Sequence, residues 1–533
     1  MMDETQDVAG YEQVIIMLRF VSSEGRKVTI EERMLALVVV GSKTGEALAE
    51  MLLNKLEDLS LDVMMLVGQC YDGGSNLSGC FNGVQIRILS INELATFVHC
   101  FAHSLNRALV NSVNHKKLPE ARNFFSIFEH IVVFVGRSSQ RQAYFLQIQR
   151  EINDVPQPST GAAPEQDLQD NVDDAEGTES QPSTSTAPEG TKRSTKPKLP
   201  GRSVSDTRWG SRSASMQRYT EPEVFEATVR TLKYVIDNAS DSESKSTAIG
   251  LLAHITSPKF VLMLAAFRYV LLAVNRVSIS LQSKTIDTAT AMKIIGNLKD
   301  ELQRYRTSPE YWKSSVETAR VLAARAGVDF DEALSELQET TRQRKRPRKL
   351  DDRPETAASS NWLDTLRTQH FYPALDKMIA EVNTRFPCKL GDFAYLEPKH
   401  FKDPEAEDGI RRLSAKYQRF VDSNAVTEWR LFRNTEGLDR KSMVQVCEEI
   451  PDEYVSLKKL YRIFLTLPIT TASLERGFSK LKLIENRLRC TQCLDRLESL
   501  MLLATEKDVA SQIDLQKLVA AFAQSAERRM PLR

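Results

Sequence analysis

The sequence predicts a mixed α/β region joined to a long all-α region, and three observations support this. Short apolar runs alternate with amphipathic segments over residues 1–113. A segment rich in Pro, Ser, Thr, Gly and acids follows. From residue 221 onward the apolar residues recur almost throughout at the spacing of a helix face.

The predicted α/β order is strand, strand, helix, strand, helix, strand, helix. Buried strands are predicted at four apolar, β-branched runs, namely 13–21, 33–40, 63–67 and 95–98. Helices are predicted at 44–59, 78–88 and 100–113, and Thr44 is a suitable N-cap for the first. This alternation predicts a mixed sheet with helices packed on it.

Composition divides the rest of the chain. Residues 151–205 lack the apolar content needed to offset the entropy of ordering, so a disordered linker is predicted. Residues 206–455 are predicted to form a helical domain and 456–533 a Leu-rich helical C-terminal region. The basic run Arg342–Lys349 has the density of a nuclear-localisation or nucleic-acid-contacting segment, although most such runs are solvated loops.

Overall composition favours a soluble intracellular protein. Lysine plus arginine equals aspartate plus glutamate at 71 each in 533 residues, so net charge does not indicate a partner. Seven scattered cysteines do not form a disulfide framework. The N-terminus does not resemble a signal peptide, and the apolar stretch 260–277 is interrupted by Arg268 and Asn275. We expect no membrane partner and no small-molecule substrate.

Asp72 is the strongest candidate for a catalytic acid. It follows a predicted strand and precedes Gly73-Gly74, where a sharp turn leaves a carboxylate at the sheet edge. The alternative is an aspartate that starts a turn or caps the next helix. The stretch Tyr71-Asp-Gly-Gly-Ser-Asn-Leu-Ser-Gly, followed by Val98-His-Cys-Phe-Ala-His, resembles the hAT transposase segment that carries the second catalytic aspartate and a Cys-x-x-His, here Cys100 and His103.

Two further motifs resemble the same family. Met2-Asp-Glu-Thr-Gln-Asp resembles the Asp-Glu-Thr-x-Asp signature of the first catalytic aspartate, which would be Asp3. Leu467-Pro-Ile-Thr-Thr-Ala-Ser-Leu-Glu-Arg-Gly-Phe-Ser-Lys resembles the hAT C-terminal dimerisation region, with Glu475 in the position of the catalytic glutamate. The alternative for Glu475 is an acid that complements the dipole of a helix N-terminus.

This resemblance implies an RNase H-like core interrupted by a long, mostly helical insertion and completed by the C-terminal dimerisation region. Asp3, Asp72 and Glu475 would hold Mg²⁺ or Mn²⁺, because cleavage and transfer of a phosphodiester use metal ions bound by carboxylates. Cys100 and His103 would pack beside the active site. A lone Cys-x-x-His lacks the second ligand pair of a structural zinc site, and so does Cys490-x-x-Cys493, so no structural zinc is expected.

The resemblance also implies contacts with DNA. Asp206-Thr-Arg-Trp-Gly-Ser-Arg resembles an element of the hAT insertion domain. We expect Trp209 to stack on a flipped base, with Arg208 and Arg212 near phosphates. The alternative for Trp209 is a core residue that anchors the insertion.

The leading functional prediction is a nuclear, homodimeric or higher-oligomeric hAT-type transposase, or a protein derived from one, that cleaves and transfers DNA strands. The strand that should carry Asp3 is expected to be nearly absent, with the N-terminus truncated and a zinc-finger domain missing upstream. The alternative is a domesticated, non-catalytic dimeric scaffold that binds DNA or nuclear proteins. A third possibility is a helical adaptor whose α/β start is coincidental.

Overall fold

The structure is a computed structural model that describes residues 1–6, 10–154, 209–340, 362–386, 391–485 and 494–524. Of the predicted linker 151–205, only residues 151–154 fall in these ranges, and they form the end of a helix. The rest of that linker, the basic run Arg342–Lys349, and Cys490 and Cys493 lie outside the described residues.

The N-terminal part of the chain contains all five strands of the described residues. In chain order its elements are β1 Met2–Gln6, β2 Glu12–Glu24, β3 Lys27–Val40, α1 Gly45–Asp58, β4 Gly68–Tyr71, α2 Ser75–Ser78, α3 Val84–Ile91, β5 Thr96–His99, α4 Phe101–Val113, α5 Pro119–Arg137 and α6 Ser139–Asp154.

The remaining described residues are helical. The elements are α7 Trp209–Tyr219, α8 Pro222–Asn238, α9 Ser242–Ile255, α10 Pro258–Ser280, α11 Thr288–Thr307, α12 Pro309–Arg325, α13 Phe330–Thr340, α14 Trp362–Thr365 followed by a π-helical turn, α15 Tyr372–Arg385, α16 Ala406–Lys416, α17 Asn424–Phe432, α18 Met443–Glu449, α19 Val455–Thr466, α20 Ala472–Ile484, α21 Leu494–Thr505, α22 Lys507–Ala510 and α23 Leu515–Gln524.

The strands form an antiparallel sheet of order β1-β2-β3 and a parallel pair β4-β5, and β4 lies against β1. Gly25 has a φ of 58°, which suits the tight turn between β2 and β3. The strand expected to be nearly absent is formed: β1 pairs with β2 along its length, with Asp3 opposite Ile15. The prediction from sequence therefore underestimated the length of β1, the strand that carries Asp3.

The predicted strand at 63–67 is wrong. Val63–Met65 forms a short helical turn, and strand β4 begins only at Gly68. The side chain of Asp62 accepts a hydrogen bond of 2.8 Å from the backbone N–H of Met64 and so caps this turn. An apolar run alone does not reveal such a local cap, which competes with strand pairing.

Helices cover the three-stranded sheet on both faces. Val14, Ile16 and Ala36 pack against α1 and α3, which follow closely in sequence. On the other face Ile15, Met17 and Leu37 pack against α20 and α21, which come from the far end of the chain. The two halves of the chain therefore share one α/β/α core.

Helix α21 also covers the outer edge of the sheet. The backbone N–H of Met34 donates to Glu506 at 2.8 Å, and that of Leu37 donates to Glu498 at 3.2 Å. Arg33 pairs with Glu506 at 2.9 Å. Carboxylates from the C-terminal region thus satisfy edge groups of β3 that no neighbouring strand reaches.

The helical region has cores of its own. The largest joins α4 and α5 to α10, α12 and α15, and Phe267 of α10 contacts both Phe124 and Phe371. By length and composition α10 is the one helix of the described residues that could cross a membrane, and 61% of its apolar window is buried within the protein. The core helix of a soluble protein passes the same test, so this is weak evidence for a membrane span.

A buried ion pair joins the sheet to the helical and C-terminal regions. Arg19 of β2 and Glu32 of β3 pair at 2.8 Å, with side chains 1% and 0% exposed. The Arg19 guanidinium also donates to the backbone carbonyls of Lys284, Ile286 and Leu465, at 3.0, 2.7 and 3.3 Å. The guanidinium of Arg19 thus has a partner for each of its three nitrogens, and the bonds to Glu32, Ile286 and Leu465 are buried.

We predict that Glu32→Gln lowers the free energy of unfolding by roughly 3–5 kcal/mol, because it leaves the buried charge of Arg19 without its partner. The measurement is urea unfolding followed by circular dichroism. The control is Glu31→Gln, which removes a partly exposed ion pair with Arg33 and should cost under about 1 kcal/mol. Equal losses in the two variants would contradict a special role for the buried pair.

Candidate functional site

The three predicted acids come from three elements that meet at one edge of the core. Asp3 lies within β1, Asp72 directly follows β4, and Glu475 lies in the first turn of α20. Strand β1 contacts both β4 and α20. Helix α20 comes close to the sheet at Gly477, where an added Cβ would lie 3.0 Å from Cδ1 of Ile15.

The charges of Asp72 and Glu475 both act on Asp3. Burial is the largest cause that raises the pKa of Asp3 to about 7, the charge of Asp72 is the next, and that of Glu475 adds to it. A hydrogen bond of 2.9 Å from the backbone N–H of Glu4 opposes the shift. The sequence-distant acids are therefore close enough to repel one another.

The described residues contain no group of three His, Cys, Asp or Glu side chains already spaced to hold a metal ion. The donor chemistry fits a divalent cation, because carboxylate oxygens are what Mg²⁺ prefers and like charges gain from a shared cation. The side chains would have to close around the ion. A cavity of about 600 Å³ lies beside β2, but none of the three acids lines it.

Asp72 is fixed by its own turn. Its Oδ1 accepts a hydrogen bond of 2.8 Å from the backbone N–H of Gly74. Arg107 of α4 donates to the carbonyl of Gly73 at 2.9 Å, and a side chain at Gly73 would collide with that guanidinium. Asp72 therefore does start a turn, as the alternative interpretation of the sequence proposed. The turn uses only its Oδ1, so Oδ2 is not engaged by the turn.

The position of Glu475 depends on the buried ion pair. Its near neighbour Ser473 donates to Glu32, and Arg476 donates to the Ser473 hydroxyl at 2.7 Å. Arg476 also donates to the carbonyl of Gln282 at 2.9 Å. The first turn of α20 is thus held on both sides, which fixes the backbone that presents Glu475.

Cys100 connects the second and third acids. It is buried at the start of α4, and its Sγ accepts hydrogen bonds from the backbone N–H and the hydroxyl of Thr471, at 3.3 and 3.2 Å. A hydrogen bond with the Cys70 thiol, then those of Thr471 and the backbone of His103, lower the pKa of Cys100 to about 6 against the effect of burial. Cys100 thus ties β4 to the segment before α20.

His103 is half-buried one turn into α4, and its charge acts on the neighbouring His99. Burial lowers the pKa of His99, and the charges of Arg107 and Arg385 lower it further. The packing role of Cys100 and His103 beside the active site stays a prediction. Neither residue belongs to a ready-made metal-binding group among the described residues.

Of the three residues expected to contact DNA, the structure describes the side chain of Arg212 only. Arg208 and the side chain of Trp209 lie outside the described residues, although helix α7 begins at Trp209. Arg212 pairs with Glu129 of α5 at 2.9 Å, and its side chain is only 11% exposed. A phosphate contact by Arg212 would require that pair to open, whereas the DNA roles of Trp209 and Arg208 stay predictions.

Sequence reasoning missed four residues that shape the site: Cys70, Arg107, Arg385 and Thr471. Arg107 could have been found, since it lies four residues after His103 and therefore on the same helix face. Cys70 lies directly before the motif that begins at Tyr71, two residues from Asp72. Nothing in the sequence pairs Thr471 with Cys100 or brings Arg385 to His99, because both contacts span hundreds of residues.

The geometry defines an α/β protein whose N-terminal acids and C-terminal glutamate share one sheet edge. Residues 1–83 match the family model of a ZMYM1/FAM200 RNase-like domain, and residues 450–509 match that of the hAT family C-terminal dimerisation region. Both matched regions contain predicted acids, namely Asp3 and Asp72 in the first and Glu475 in the second. These two matches support an hAT-family transposase-like protein.

We predict that Asp3→Asn removes a pH-dependent cost to stability in metal-free buffer. The pKa of Asp3 is raised from 3.8 to about 7 in the folded protein. Asp3 therefore adds fully to the free energy of unfolding below pH 3.8, and this contribution is lost as the pH rises through about 7. The melting temperature of the variant minus that of the wild type should therefore increase between about pH 4 and pH 7 and then level off.

The measurement is differential scanning fluorimetry in buffers containing a chelator. The control is Glu46→Gln, which alters an exposed acid on α1. The same pH dependence in both variants would contradict the assignment to Asp3.

Proposed function

We propose that this protein cleaves and transfers DNA strands with divalent metal ions, using Asp3, Asp72 and Glu475. The single observation that supports this is that β1, which carries Asp3, contacts both β4, which Asp72 follows, and α20, which carries Glu475. We further propose that the residues between α4 and α20 are a mostly helical insertion in an RNase H-like core. The sharing of one sheet by α1, α3, α20 and α21 supports that division.

In this mechanism each carboxylate has its own support. Asp72 is oriented by the N–H of Gly74, Glu475 by the fixed first turn of α20, and Asp3 by β1 between β2 and β4. Mg²⁺ or Mn²⁺, when bound, supplies Lewis acidity that activates the attacking oxygen and stabilises the leaving oxygen. The partial burial of Asp3 keeps water from screening these charges.

DNA is the proposed partner and the nucleus the proposed location. The basic run Arg342–Lys349 is suited to nuclear import or phosphate contact by its charge density. Trp209 and Arg208 remain the proposed base-stacking and phosphate-contacting residues.

A non-catalytic dimeric scaffold is the second candidate function. It is favoured by one observation, that the described residues contain no three-residue group already spaced for a metal ion. Such a protein would keep the fold and its self-association and would bind DNA or nuclear proteins without cleaving them.

We predict that the purified protein nicks supercoiled plasmid DNA in the presence of Mg²⁺ or Mn²⁺, and that Asp72→Ala and Glu475→Ala each lower the rate roughly a hundredfold or more. Loss of a metal ligand removes several kcal/mol of transition-state stabilisation, and each 1.4 kcal/mol is about tenfold in rate. The measurement is the conversion of supercoiled to open-circular DNA on a gel.

The exposed acid Glu46 supplies the control variant Glu46→Gln, which should nick at the wild-type rate. Nicking that survives in both alanine variants would overturn the assignments. A protein that binds DNA but never nicks it would support the scaffold.

The match to the hAT dimerisation region at residues 450–509 indicates homo-oligomerisation. We propose that exposed apolar side chains on α21, within this region, and on α23, which follows it, form the interface. Leu503 on α21 is 52% exposed, and Leu515 and Leu518 on α23 are 71% and 51% exposed. Large apolar side chains clustered on the surface commonly lie in protein interfaces.

We predict that Leu515→Asp with Leu518→Asp shifts the protein from dimer to monomer, because charges would be buried in the interface. Size-exclusion chromatography with light scattering measures the mass. Leu431→Asp on α17 changes a similarly exposed leucine and should leave the mass unchanged. A dimer that persists in the double variant would exclude α23 from the interface.

A further inference from the structure

Four cations gather on the side of α20 that faces the helical region and α22. Arg476 and Lys480 lie one turn apart on α20. Lys284 belongs to the loop between α10 and α11, which Arg476 holds through the carbonyl of Gln282 at 2.9 Å. Lys507 begins α22, next to the end of α21, where Lys480 donates to the carbonyl of Ala504 at 2.9 Å. We name these four residues the α20 cation cluster.

Within the described ranges, no carboxylate lies within ion-pair distance of any member of this cluster. Three acids act on the cluster through their charges, namely Glu32 and Glu475 on Arg476 and Glu506 on Lys480. Of these, Glu32 is bound by Arg19 and Glu506 by Arg33. This contrasts with Arg33, which pairs with three acids. The cluster therefore concentrates positive charge without a direct ion pair among the described residues.

Two observations show that the close packing of these cations is electrostatically unfavourable and leaves a polar group unsatisfied. Burial lowers the pKa of Lys480, and the charges of Lys284 and Lys507 lower it further. The Nε of Arg476 is buried and has no hydrogen-bond partner among the described residues. Like charges kept close by backbone contacts, with a donor unsatisfied, are the arrangement expected where an anion binds.

We propose that the α20 cation cluster binds backbone phosphates of the nucleic-acid strand next to the three acids. This inference rests on the proposed function, which supplies DNA as the ligand. Arg476 directly follows Glu475, and Lys480 lies about 6 Å further along the helix axis. If the reacting phosphate of a nucleic-acid strand lies at the three acids, the neighbouring phosphates of that strand would lie beside this cluster. Lysine and arginine are the side chains that neutralise DNA phosphates.

The test uses Lys284→Ala with Lys507→Ala, because both side chains are exposed and neither makes an ion pair or a side-chain hydrogen bond within the described ranges. Binding to a fluorescein-labelled DNA duplex is measured by anisotropy over a series of salt concentrations. The slope of log K against log salt should become shallower by about 2, roughly one for each lost phosphate contact, and the loss should be the same for unrelated sequences.

The matched control is Lys245→Ala with Lys313→Ala, which removes two exposed lysines from α9 and α12. An unchanged slope in the cluster variant, or an equal change in the control, overturns the inference. Failure of the wild type to bind DNA would instead contradict the proposed function. A second variant, Lys480→Met, keeps the aliphatic stem and should reduce the slope by about 1.

Discussion

The structure depends on the ion pair between Arg19 and Glu32. It joins two strands of the sheet, the loop before α11, the end of α19 and, through Ser473, the first turn of α20. A buried ion pair gives little net stability compared with apolar residues of the same size, because both charges lose their hydration. Its effect is on geometry, since only one arrangement of the three regions satisfies all of its hydrogen bonds.

The same pair explains how a catalytic-type acid can be presented by residues far from the sheet in sequence. Carboxylates placed close together repel one another, and the pKa of Asp3 is raised first by burial and then by the charges of Asp72 and Glu475. The backbone around them must therefore be held by other interactions. The Asx turn of Asp72 and the contacts of Thr471 with Cys100 serve that purpose on the remaining sides. Strain of this kind is common at functional sites and is offset by the surrounding structure.

Much of the α/β order could be predicted from the sequence, because periodicity reports local burial. The strand β2 and the helix α1, with its Thr44 cap, were predicted within a few residues of their observed bounds. The end of β3 was predicted correctly at residue 40, but the strand begins at Lys27 and not at the predicted residue 33. The start of β4 could not be placed, since the cap provided by Asp62 competes with an apolar run that looks like a strand. The acids could be named from motifs, whereas the contacts that position them could not. Arg19, Glu32 and Thr471 act through pairings across the length of the chain, which periodicity does not encode.

The carboxylates of Glu498 and Glu506 cover the edge of β3, and this protects the chain from aggregation while it folds. Strand β3 is 14 residues long and rich in Val, Ile and Leu, so its uncovered edge would template pairing with other chains. Helix α21, which shields this edge, is synthesised after the sheet and after the helices up to α20. Until it docks, a nascent chain carries an open, aggregation-prone strand, and chaperone binding should matter most during that interval. A chain cut short before α21 would retain this liability permanently.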